Sequence, residues 1–149
     1  MLILIAGPYR SGTGDDPVKM AANLQVLEAP SHALFKAGHV PMIGEWVALP
    51  VWHSAGGKTI GDDLYEEIFH PVAHRLLQLC DGVLRLPGAS KGADNDVRIA
   101  TERGIPVWYR LEDVASHNLT SPLPLKGRVG SQVRGRGPGW GDDRNLDSG

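Results

Sequence analysis

The residues best equipped for chemistry fall in three short segments. The first is GPYRSG, residues 7–12, where Gly7 and Gly12 bracket Tyr9, Arg10 and Ser11. Bare backbone N–H groups, a guanidinium and hydroxyls suit an anion, and a phosphate is the expected one. The second is GEW, in which Glu45 can hold a sugar or a base and Trp46 can stack on a base. Packing of a flap explains both residues equally well. The third is ASKGADND, where Ser90 can hydrogen-bond an anion or a sugar hydroxyl and Gly92 lets a ligand come close to the backbone. Asp94 and Asp96 follow in the same segment. A carboxylate in the first turn of a helix also serves by facing the positive end of its dipole. Residues two apart point in different directions on a helix, so only one of the two is expected in a cleft.

Two familiar phosphate motifs do not fit. The glycine spacing at 7–12 is that of a P-loop, but Thr13 stands where the lysine is required. No G-x-G-x-x-G follows the first apolar run either. His70 and His74 have i, i+4 spacing but no H-E-x-x-H, so neither a metal nor a cofactor is expected.

These segments need elements to hold them. Apolar residues 2–6 read as a strand that ends at the first loop. Asp15 or Asp16 can cap the next helix, with Pro17 in its first turn. That helix is expected to carry Met20, Leu24, Leu27 and Leu34 inward, to kink at Pro30 and to stop at Gly38. A second strand is expected over 39–43. Residues 44–61, with Pro50, four glycines and two tryptophans, read as an irregular flap over the site. Helices are expected over 62–79, with Pro71 starting a new segment, and from the Ser90 loop through Arg103. Strands are expected at 82–86 and 105–109, with one more turn over 111–115. Strands alternating with helices predict an α/β fold, a flavodoxin- or Rossmann-like parallel sheet flanked by helices. Ligands bind such sheets outside the carboxyl ends of the strands, where all three segments lie. Asp81 precedes the third strand and so belongs to the opposite end, in a structural role.

Composition bounds the partners. The 149 residues suffice for one domain, assigned to 1–119. A net charge of −2 offers no basic field for nucleic acid or an anionic membrane, leaving a small molecule as the expected partner. The single cysteine, Cys80, excludes an internal disulfide and a cysteine-based zinc site, and its apolar surroundings predict an inert buried thiol. With no leader and no run long enough for a bilayer, the chain is read as cytoplasmic. Residues 120–149 hold seven of the nineteen glycines and three prolines, so a disordered tail is expected there. A basic arm built on Lys126, Arg128, Arg134 and Arg136 is the alternative reading of that tail.

Across residues 1–109 the chain resembles the nucleoside 2-deoxyribosyltransferase-like superfamily, which includes nucleotide N-glycosidases. The resemblance rests on IAGPYRSG, AGHVPMIGEW and CDGVLRLPGASKGADNDVRIA, in that order. It implies a flavodoxin-like sheet, a homodimer whose neighbour completes the site, and a nucleoside or nucleotide as partner. In the superfamily a glutamate six residues after the loop serine attacks the anomeric carbon, and Asp96 occupies that position here. Where the family often has an aspartate, eight residues before Asp81, this chain has Ala73, with His74 beside it as an alternative proton donor. The resemblance therefore implies cleavage or transfer of an N-glycosidic bond, with Asp96, or else Asp94, as the nucleophile. A module that binds a nucleotide or phosphosugar without cleaving it is the alternative. A phosphate-bearing substrate is expected because Arg10 has no evident acidic partner in its loop.

Overall fold

A computed structural model of the chain describes residues 1–115. It contains β1 (Leu2–Ala6), α1 (Pro17–Glu28), α2 (Ser31–Lys36), β2 (Val40–Ile43), α3 (Gly44–Ser54), α4 (Asp63–Leu79), β3 (Gly82–Arg85), α5 (Lys91–Glu102) and β4 (Val107–Trp108), with a 3-10 turn at Leu111–Asp113. The four strands form one all-parallel sheet in the order β2-β1-β3-β4. The expected α/β class is correct, and this strand order is the one that starts a flavodoxin-like sheet.

Alternation along β1 builds two cores. Leu4 and Ala6 face Leu76, Leu77, Val83 and Ala100, the layer of α4 and α5. Ile3 and Ile5 face Leu27, Leu34, Leu84 and Val114, the layer of α1 and α2. A strand buried on both faces reads as an unbroken apolar run, which is why β1 and β3 are legible in the sequence. Gly82 is fixed by packing, since a Cβ there would sit 2.4 Å from the Trp108 ring. Asp81 lies at the amino end of the sheet, where its carboxylate accepts the Leu2 N–H at 2.8 Å. Buried His39 bonds the amino-terminal nitrogen at 3.2 Å and the Ala115 carbonyl at 2.7 Å.

Asp16 caps α1, accepting the Val18 N–H at 2.9 Å, and Gly38 takes a left-handed φ of 90° after α2. At Pro30 the chain breaks into two helices rather than bending one. Two expectations fail. Residues 44–61 are not an irregular flap, because α3 fills 44–54. Its buried residues Ala48 and Trp52 share a face with half-buried Glu45, while Pro50 lies exposed. Pro71 does not start a new segment, because α4 runs through it without a break. Among the described residues no helix is long and apolar enough to cross a membrane. The expected tail, 120–149, lies outside the described residues.

Candidate functional site

A cavity of about 590 Å³ opens at the carboxyl edge of the sheet. Its floor is the end of β1, Ile5 to Gly7, at the point where the chain turns to β2 on one side and β3 on the other. Its walls are the loop after β1, the first turns of α3 and α5, and one face of α4. Gly7 is fixed by packing on the core beneath the floor, since a Cβ there would approach Leu27 to 2.9 Å and Leu86 to 3.3 Å. Of the residues expected in the site, Gly7, Tyr9, Arg10, Ser11, Glu45, Ser90, Gly92 and Asp96 line this cavity.

Asp94 and Trp46 do not. Asp94 points away on α5 with its side chain 73% exposed, and accepts from Arg85 Nη2 at 2.9 Å. Asp96, two residues on, turns inward, so one of the two carboxylates enters the cleft, as helical geometry requires. Trp46 sits on the outer side of α3 and donates its indole N–H to Glu28 at 3.1 Å. Ser90 lines the cavity, but its hydroxyl oxygen is the α5 cap, accepting the Ala93 N–H at 3.1 Å.

Glu45 and Asp96 are the two half-buried carboxylates of the cleft, and among the described residues neither forms an ion pair. Burial pushes Glu45 up to about 7, against the pull of its own backbone N–H. Asp96 also rises to about 7, first through burial and then through the charge of Glu45, with Arg85 opposing. The Glu45 charge reaches two phenols as well. Tyr9 and Tyr65 are both raised, by burial first and by Glu45 next. Two carboxylates that disfavour each other's ionisation divide the roles of proton holder and anion near neutral pH.

The part of the lining on α4 and the loop after β1 is aromatic. Phe69 stacks on Tyr65 with centroids 3.8 Å apart, and lies nearly parallel to Tyr9, 8° between planes, at 6.5 Å. Flat apolar faces of this kind suit a planar ring. Tyr65, Glu66 and Phe69 are site residues that the motifs do not flag, and Ala73, the position at which the resemblance implies an aspartate, lines the cavity with them. Their spacing along one face of α4 is the available signal.

Arg10 overturns the expectation that it has no acidic partner. Its Nε donates to Asp15 Oδ1 at 2.6 Å, its Nη2 to Asp15 Oδ2 at 3.2 Å, and its Nη1 to Glu66 at 3.1 Å. The guanidinium also lies 5.3 Å from the centre of the Tyr65 ring. Gly61, with φ 90°, makes room, since a Cβ there would fall 2.2 Å from Nη2. The partner comes from within the loop because Gly12, Gly14 and Asp15 all have positive φ and fold it back on itself. Arg10 holds Asp15 below the usual carboxylate range, mainly through their hydrogen bond. The ground for preferring a phosphate-bearing ligand therefore falls.

Glu66 also accepts from His70 Nε2 at 2.8 Å. Among the described residues no group of three or more His, Cys, Asp or Glu is placed to hold a metal ion. Cys80 is buried at the end of α4, and its thiol is pushed up to about 11 by burial first, then by Asp81 and Asp96. No family model, curated protein or solved structure matches the chain.

Proposed function

We propose that the cleft cleaves or transfers the N-glycosidic bond of a nucleoside or nucleotide, with Asp96 as the nucleophile. The observation that carries this reading is a half-buried carboxylate, without an ion pair among the described residues, sharing one cavity with a second carboxylate that is as hard to ionise. A carboxylate can capture the oxocarbenium-like C1′ centre, and a neutral carboxyl group nearby can assist departure of the base. The Tyr9 and Phe69 rings offer a surface for the base, and the turn after β3 offers the α5 N-terminus to the sugar side. The motif resemblance supports the same assignment. A cytoplasmic homodimer belongs to this reading, and sedimentation tests the dimer.

The test is chromatographic detection of free base after incubation with a panel of nucleosides and their 5′-monophosphates. Release by the parent chain, falling by about 1,000-fold in Asp96→Ala, is expected. Release that survives the substitution would remove Asp96 from the mechanism. Stabilisation by a ligand without release from any member would make the protein a binding module.

A further inference from the structure

We propose that Glu45 is the residue that protonates the departing base and then accepts a proton from the water that completes the reaction. This rests on the reading above. In the first step the C1′–N bond breaks with its electron pair passing to the base, Asp96 forms an ester oxygen bond to C1′, and the Glu45 carboxyl proton moves to the base. In the second step the Glu45 carboxylate takes a proton from water, the water oxygen bonds to C1′, and Asp96 leaves as a carboxylate. The sum is nucleoside plus water giving base plus sugar, with both side chains restored.

An inventory of proton carriers around the cavity leads to Glu45. Arg10 is held by Asp15 and Glu66. Glu66 is occupied by Arg10 and His70, and His70 lies on the exposed rim beside it. Tyr9 and Tyr65 are raised above an ordinary phenol, which makes them poor donors at neutral pH. Lys91 is exposed at the start of α5, and Ala73 carries no proton.

Glu45 remains, and its placement is built. It is the second residue of α3, directly after β2, on the face that also buries Ala48 and Trp52. The far end of that helix is anchored, since the Trp52 indole N–H donates to Asp62 at 3.0 Å. Gly57 admits the indole, because a Cβ there would fall 2.2 Å from the ring. A carboxyl group pushed up to about 7 holds a proton in a large share of molecules at neutral pH and can release it there.

The experiment compares guanosine with 7-methylguanosine, and their 2′-deoxy forms, at pH 6. The methylated base is cationic and departs without needing a proton. With enzyme in excess, so that only the first turnover is read, release of guanine in Glu45→Gln is expected to fall about 100-fold while release of 7-methylguanine stays within about 3-fold of the parent; under repeated turnover both fall, because the water of the second step loses its proton acceptor. Asp96→Asn is expected to lose both. Equal losses on the two substrates in the first turnover of Glu45→Gln, or no loss on guanosine, would overturn the proposal. If Asp96→Asn keeps both activities, the Asp96 reading fails while the Glu45 result still stands on its own. Release from neither substrate by the parent chain would overturn both. The parent chain gives a second readout that needs no variant, in which guanine release peaks near pH 7, rising as Asp96 ionises and declining as Glu45 loses its proton. A flat profile from pH 6 to 8 would also overturn the assignment.

Discussion

The two sides of the cleft treat charge in opposite ways. On the side of the β1 loop and α4, Arg10 is paired with Asp15 and Glu66, and Glu66 is shared with His70. On the side of α3 and α5, Glu45 and Asp96 stand half-buried without an ion pair among the described residues. Paired charges near solvent fix geometry and contribute modestly to stability. Unpaired carboxylates in a low-dielectric wall cost stability and are retained where chemistry uses them. The loop expected to be an anion cradle is thus tied into ion pairs, and the carboxylates proposed to react stand on α3 and α5.

The sharpest way to break this contrast compares the two aspartates of α5. Asp96→Asn should reduce base release by about 1,000-fold, whereas Asp94→Asn should leave it within about 3-fold in the same chromatographic assay. Comparable losses would mean that Asp94, although turned outward onto Arg85, takes part. On the side of the β1 loop, Arg10→Ala should lower Tm by about 4 °C, measured by calorimetry, since it removes two ion pairs and the support for a left-handed Asp15. It should also leave the ratio of nucleoside to 5′-monophosphate binding unchanged. A selective loss of the monophosphate would restore the anion cradle.

The smallest effect concerns stability and pH. Glu45 and Asp96 rise on folding from ordinary values of 4.5 and 3.8 to about 7, so the folded chain holds their protons more tightly. That contribution is full at acid pH, below the ordinary values, and is lost as pH rises through about 7. Glu45→Gln should therefore flatten the slope of stability between pH 4 and 8. At pH 8 it should be more stable than the parent by about 1 kcal/mol in urea titrations. A less stable variant at pH 8 would mean that the Glu45 carboxylate is satisfied in the native state.

Much of the architecture was legible because burial on both faces writes strands as apolar runs, as in β1 and β3, and because Asp16 and Gly38 mark helix ends by local chemistry. Helix α3 was not, because its glycine, proline and tryptophans resemble loop composition. Its inward positions 45, 48 and 52 carried a helical period that Pro50 masked, and that proline is tolerated on the exposed side. Eight of the expected site residues do line the cleft, because loops after parallel strands converge by topology. The partners of Arg10 were hidden for two reasons. Asp15 depends on a run of positive φ, and Glu66 lies 56 positions away, a contact that only the folded chain creates.

Pro71 carries one more consequence. It has no amide hydrogen, so the Glu67 carbonyl lacks its helical donor and α4 is missing a rung at mid-length. The turns before it present Tyr65, Glu66, Phe69 and His70 to the cavity, while the turns after it bury Leu76 and Leu77. A missing rung at mid-length lets the two halves of the helix open with different free energies. Backbone amides over 63–70 should exchange with deuterium sooner than those over 72–79, letting the aromatic wall breathe while the core stays closed.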